Sequence, residues 1–199
     1  AREHNVKKVI YSSTSSAYGL ANEPPLNETM PDDCLNPYSV SKVSGEKICA
    51  MYTKLFGVKT VIFRYFNVYG PREPIKGPYA PVVGLFLRQY RAGELLTIVP
   101  DGTQRRDFTH VDDVVNANML AMMVDHDHYG EVFNVGTGTN HSVLELAAMI
   151  SNQTKMIEPR LGEAYITLAN NTKIKKILGW EPKENIEQYI KDQLSIVDR

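Results

Sequence analysis

The sequence predicts an α/β fold with parallel strand pairing, and three observations lead there. Short apolar runs alternate along the chain with longer amphipathic stretches, the order produced when helices cross between parallel strands. The apolar run Val9-Ile-Tyr-Ser-Ser ends in small polar residues, as a buried parallel strand does where its carboxyl end opens onto a site. Gly, Pro and Asn fall between the runs, where turns and helix ends require them.

The elements follow in order. After the Val9 strand comes a loop from Leu20 to Asn36 rich in Pro, Asn and acids. Asn36-Pro37 then supplies a capping residue and a first-turn proline for a helix reaching about Phe56, with Gly57 as its stop. Val58 to Phe66 reads as the next strand. Gly70-Pro71-Arg-Glu-Pro and Lys76-Gly-Pro mark irregular loops before an amphipathic helix near Pro81–Ala92. A short strand at Leu96–Val99, the Asp101-Gly102 turn and a helix from about Val111 to Val124 come next. Glu131–Val135 is a strand, Gly136-Thr-Gly a turn, and Ser142–Ser151 a helix in which Ser142 and Glu145 have capping-box spacing. Helices near Thr172–Leu178 and Ile186–Val197, joined by Gly179-Trp-Glu-Pro, complete the chain.

Composition narrows the function classes. With 199 residues, 43% of them hydrophobic, the chain can bury one sizeable core, or one plus a small lobe. Its 22 Lys and Arg nearly balance 23 Asp and Glu, giving no bulk electrostatic reason to expect nucleic acid or an anionic membrane as partner. Cys34 and Cys49 make neither a disulfide framework nor a metal spacing, so free thiols and a cytoplasmic setting are expected. No run approaches the ~20 apolar residues of a membrane span. Ala1-Arg-Glu-His-Asn-Val-Lys-Lys leads straight into the first strand, so the chain reads as beginning within a domain. Among the five histidines, His110 sits at a helix start and is expected to be structural. His126 and His128 read as a solvated loop rather than a metal site.

The chemistry centres on Tyr38-Ser-Val-Ser-Lys42. On a helix, a phenol and an ammonium four residues apart share one face. The cation favours phenolate, bringing a tyrosine pKa down from about 10 so that Tyr can take a proton from a substrate hydroxyl. Alone, such a pair is equally a solvated helical pair. Its position after a strand ending in Ser12-Ser13-Thr14 raises the odds, because those hydroxyls could hold the same substrate oxygen.

Five ordered segments then extend the pattern: Val9 to Gly19, Pro37 to Lys42, Arg64-Tyr-Phe-Asn-Val-Tyr-Gly-Pro-Arg72, Arg106-Asp-Phe-Thr-His-Val-Asp-Asp113 and Phe133-Asn-Val-Gly-Thr-Gly138. In order and spacing they resemble the extended short-chain dehydrogenase/reductases, most closely the NAD-dependent nucleoside-diphosphate-sugar 4-epimerases. The resemblance implies the C-terminal part of a Rossmann-like parallel sheet plus a smaller α/β substrate-binding lobe. Residues 1–70 would be the remnant of the dinucleotide-binding domain. Residues 71–199 would form mainly the nucleotide-sugar lobe, with about 108–136 returning to the Rossmann part.

Position by position, the resemblance implies that Thr14 shares the reacting hydroxyl, Tyr38 is the acid/base, and Lys42 holds the nicotinamide ribose. Ser12, Ser13 and Tyr65 would line the nicotinamide pocket. Asn67 and Arg106 would contact the diphosphate, Phe108 a nearby pocket wall, and Arg160 with Glu163 the diphosphate and ribose. Two arginines can clamp a diphosphate bidentately, which agrees with the last assignments. Taken singly, each has a plainer reading, with Ser12 and Ser13 as strand-end hydrogen bonders and Asn67 as a turn residue. Where the related 4,6-dehydratases carry Asp-Glu, this chain has Ser15 and Ser16, which disfavours dehydration. Thr167 stands at a gate position where a small residue admits 2-acetamido sugars.

No Gly-x-Gly-x-x-Gly follows any strand, and Gly136-Thr-Gly138 is too short to replace it. The expectation is therefore a UDP-sugar site with NAD absent or weakly bound, no turnover by this chain alone, and self-association as a homodimer or larger through an unpaired strand edge. A nucleotide-sugar-binding protein without turnover, or a half-enzyme completed by another chain, are the alternatives.

Overall fold

A computed structural model describes residues 1–75, 77, 80–159 and 164–196. The elements run β1 (Val9–Thr14), α1 (Pro37–Phe56), β2 (Thr60–Tyr65), β3 (Val68–Tyr69), α2 (Val82–Arg91), β4 (Leu96–Ile98), β5 (Arg105–Arg106), β6 (Thr109–His110), α3 (Val111–Met123), β7 (Val132–Val135), β8 (His141–Ser142), α4 (Val143–Ile150), β9 (Thr154–Met156), α5 (Thr172–Leu178) and α6 (Ile186–Ser195). The main sheet has the order β1-β2-β7 and is wholly parallel, with Val9 opposite Thr60 and Ile62 opposite Val132. Among the described strands, β1 forms one edge of it. Pairs β3-β6 and β4-β9 are also parallel, whereas β5-β8 is antiparallel.

Local chemistry fixes the helix ends. Asn36 accepts from the Ser39 amide, Pro37 opens α1, and Gly57 closes it in the left-handed conformation at φ 68°. Ser142 and Glu145 form the reciprocal capping box that starts α4. His110 caps α3, its Nδ1 accepting from the Asp112 amide at 3.2 Å.

Two large apolar cores result, together with a smaller cluster of Tyr18, Leu26, Phe66 and Ala169. One joins β2 and β7 to α3 and α5 through Val61, Phe63, Phe133, Ile174 and the fully buried Trp180. The other joins α2, α4 and α6 to β4 through Phe86, Leu96, Ile98, Leu146 and Ile190. Trp180 also donates to the Asp113 carbonyl at 2.9 Å, and the Asp113 carboxylate accepts from the Lys183 and Glu184 amides. The chain around the last two helices is thereby tied to the start of α3.

In the His126–His128 turn only His126 is packed, while Asp127 is exposed and the His128 side chain stays 45% exposed. His126 stacks on Tyr129 with ring centroids 4.3 Å apart and meets Phe133 edge-on, and its Nδ1 accepts from the His128 amide. No group of metal-ligating side chains occurs among the described residues. No described helix is long and apolar enough to cross a membrane.

Candidate active site

α1 carries Tyr38 and Lys42, and the side chain one further turn along, Glu46, anchors them. Glu46 is buried and accepts from Arg64 Nε at 2.9 Å and Arg64 Nη2 at 2.6 Å. Arg64, in β2 and equally buried, also reaches Asp32 at 2.6 Å and lies against the Tyr18 ring. Ser13 donates its hydroxyl to Glu46 as well. α1 is thus bolted to β1 and β2 by a desolvated ion pair, the kind of contact whose geometry is strongly enforced because an unpaired partner would be costly. Gly45 completes the join: a Cβ there would fall 2.1 Å from Tyr11 Oη, so only glycine lets that ring pack.

With α1 fixed, Lys42 Nζ donates to the Ser12 carbonyl at 2.9 Å and sits 5.9 Å from the Tyr38 ring and 5.5 Å from the Tyr11 ring. The predicted Tyr/Lys pair is therefore together, beside the open edge of β1, with Tyr38 54% exposed. Thr14 ends β1, and its Oγ1 accepts from the Ser16 amide at 3.1 Å and donates to Ser16 Oγ at 3.1 Å. Tyr65 Oη lies 3.4 Å from Ser12 Oγ and is held by Asn118. Ser13 is the exception among the proposed pocket residues. Its hydroxyl is buried on Glu46, the plainer strand-end role, because strand alternation turns it to the opposite face from Ser12.

A cleft of about 510 Å3 lies beyond the carboxyl ends of β1 and β2. Ser15 and Ser16 line one part of it, and Asn67, Gln104, Arg106 and Thr167 another. Asn67 Nδ2 donates to Thr167 Oγ1 at 3.1 Å and to the Asp107 carbonyl at 3.3 Å, so two of the expected substrate residues are already coupled. Arg105 does not compete with Arg106 for the cleft, since its guanidinium binds Asn140 and Glu145. Phe108 lies elsewhere: it belongs to the α2-α4-α6 core and borders a separate cavity of about 180 Å3 with Thr137, Thr139 and His141. Arg160 and Glu163 lie outside the described residues.

Asp107 was not singled out in the sequence, yet it organises the site. Its carboxylate accepts from the Thr137 amide and hydroxyl at 2.8 Å, and from the Gly138 and Ala169 amides at 3.0 Å. Its own amide donates to Thr167 Oγ1. Burial pushes this carboxyl upward, and those donors pull it back. The signal available in the sequence was its place between Arg106 and Phe108, but nothing local indicated donors 30 and 62 residues away.

These contacts also settle what the Gly136-Thr-Gly138 turn does. Its Thr137 and Gly138 amides are spent on Asp107, so they offer no cradle to a cofactor pyrophosphate.

Residues 1–136 match the model of the NAD dependent epimerase/dehydratase family. The chain belongs to that family. It is 36% identical to the UDP-glucose 4-epimerase of Mycolicibacterium smegmatis over 92% of its own length and 60% of the relative's. The structure of Thermotoga maritima UDP-glucose 4-epimerase with UDP-glucose superposes with a TM-score of 0.91 and 35% identity, covering all of this chain and 66% of that one. The Bacillus cereus UDP-glucuronic acid 4-epimerase, solved with UDP-glucuronic acid and NAD, gives a TM-score of 0.89 at 30% identity, covering 99% of this chain and 63% of that one. The chain thus spans a little under two thirds of the length of these epimerases, and its parallel sheet is part of their Rossmann-type fold.

Proposed function

We propose that these residues are the catalytic-helix and substrate-binding portion of a nucleotide-sugar 4-epimerase acting on UDP-glucose and UDP-galactose or their N-acetyl forms. The observation that carries the reading is that Asn67, Arg106 and Thr167 share one cleft with the Ser15-Ser16 turn that follows Thr14. In this reading the cleft holds the UDP-sugar, with Arg106 and Asn67 facing the diphosphate. Tyr38 takes the proton from the sugar 4-hydroxyl and returns it, Thr14 shares that hydroxyl, and the Lys42 ammonium holds the phenol's charge in check. NAD, when bound, supplies reversible hydride acceptance at C4.

The division into residues 1–70 and 71–199, with about 108–136 returning, is supported by the two cores. α5 and Trp180 join the first of them as well, so the return includes part of the C-terminal region. Without a Gly-rich turn, and with the Gly136–Gly138 amides taken by Asp107, these 199 residues by themselves bind UDP-sugar but hold NAD weakly and do not turn over. Thr167 fits a role admitting 2-acetamido sugars, since it is small and already tied to Asn67. The exposed apolar residues of α1, among them Ile48, Met51, Leu55 and Phe56, support self-association in the cytoplasm as a homodimer. The test is calorimetric titration of the purified chain with UDP-glucose and UDP-GlcNAc. Saturable binding of both, with loss of at least about tenfold in affinity for Arg106→Ala, is the expected result; binding unaffected by that substitution sinks the assignment of Arg106.

A further inference from the structure

Glu73 is a half-buried carboxylate that the proposed chemistry does not use. It follows the Gly70 turn and packs directly on α2: a Cβ on Gly84 would fall 2.7 Å from Glu73 Cδ and Cγ. Gly84 is the third residue of α2, within the turn whose amides have no intrahelical acceptor, and Pro81, the capping residue, has no side-chain cap hydrogen bond. Glu73 therefore packs on the first turn of α2 from eleven residues earlier in the chain. Ala80, Val82 and Leu85, at and just before the start of α2, line the cleft.

The environment is poorly suited to a charge. Oε2 is buried with no hydrogen-bond partner, and no described cation pairs with Glu73. Tyr69 from β3 and Tyr189 from α6 face it; Asp113 and Glu184 lie beyond Tyr69, Arg91 acts on Tyr189, and the His110 ring packs on both tyrosines at 5.1 and 5.3 Å. The Gly70 and Gly84 peptides favour the ion, but burial outweighs them and raises the carboxyl from 4.5 to about 7. Ionisation then favours moving the carboxylate out to water, away from Gly84.

We infer that Glu73 is a positioning residue that, in its neutral form, latches the N-terminus of α2 against the nucleotide-sugar cleft. The inference rests on the proposed UDP-sugar reading of that cleft. Its consequence is that ligand affinity depends on pH near neutrality through a residue that does not touch the ligand.

The experiment measures UDP-glucose affinity from about pH 6 to about pH 8 for the wild type, Glu73→Gln and Glu73→Ala, with amide hydrogen exchange across residues 80–86 as a second readout. UDP-glucose is the probe because its diphosphate diester does not titrate in this range. The wild-type affinity is expected to fall up to about tenfold, the ratio of neutral fractions for a group titrating at about 7. Glu73→Gln should hold its low-pH affinity throughout, which also separates Glu73 from His110. Glu73→Ala should bind weakly at every pH and exchange faster across residues 80–86. A wild-type slope that persists in Glu73→Gln overturns the inference, as does Glu73→Ala with unchanged affinity and exchange. If no form binds UDP-glucose, the UDP-sugar reading fails, and exchange alone decides the latch: faster in Glu73→Ala supports it, unchanged overturns it.

Discussion

At the scale of single residues, the chain's chemistry depends on groups whose roles are set by distant partners. The Tyr38/Lys42 spacing was legible because helical periodicity alone places both on one face. Glu46, one more turn along that stripe, was not, since its meaning comes from Arg64 in the next strand. We predict that Glu46→Gln lowers stability by roughly 3 kcal/mol, as breaking one side of a buried pair does, measured by urea unfolding. A loss under about 1 kcal/mol would show the pair to be dispensable. Asp107 gives a parallel case. Asp107→Ala strands donors from Thr137, Gly138 and Ala169 and is expected to cost about 3 kcal/mol or more in the same assay. Glu73 contributes in the opposite sense to a salt-bridged acid. Its folded pKa is raised from 4.5 to about 7, so the stability it confers is fully present below about pH 4.5 and declines as pH rises through 7. Melting temperature should therefore fall across that window in the wild type and fall less in Glu73→Gln. Ser13 shows where residue reading was too generous: placed in the cofactor pocket by resemblance, it bonds Glu46 because neighbouring strand residues face opposite ways.

At the scale of elements, punctuation was the most readable part of the sequence. Asn36-Pro37 and Gly57 bracketed α1 at the positions where caps form, and the Ser142/Glu145 spacing located α4. Asn36→Ala is predicted to cost about 1 kcal/mol, read from thermal or urea unfolding, because the Ser39 amide loses its acceptor. The two- and three-residue strands β3, β5, β6, β8 and β9 were illegible. Too short to show a period, they exist only through partners such as Val68 with Thr109 or Leu96 with Thr154. The antiparallel β5-β8 pair likewise departs from the all-parallel pattern that the alternating elements suggested. The His126–His128 turn was legible in part: Asp127 and much of His128 are exposed as its polar sequence signalled, while Tyr129 and Phe133 pack His126.

At the scale of the whole molecule, the order of the five sequence segments identified the fold and family, and the structure explains why they recur together. β1, the turn after it, Asn67 and the Arg106-Asp107 pair converge at the carboxyl ends of a parallel sheet, where such folds place their ligands. In the proposed reading this cleft takes the UDP-sugar, while the Gly136–Gly138 turn, closed by Asp107, offers no free amides to a cofactor pyrophosphate. In the proposed reading UDP-sugar and NAD binding are separable, and thermal unfolding of the purified chain with UDP-glucose and with NAD, each added alone, measures that separation. The melting temperature is expected to rise with UDP-glucose concentration and to be unmoved by NAD. A rise with NAD, or none with UDP-glucose, would contradict it.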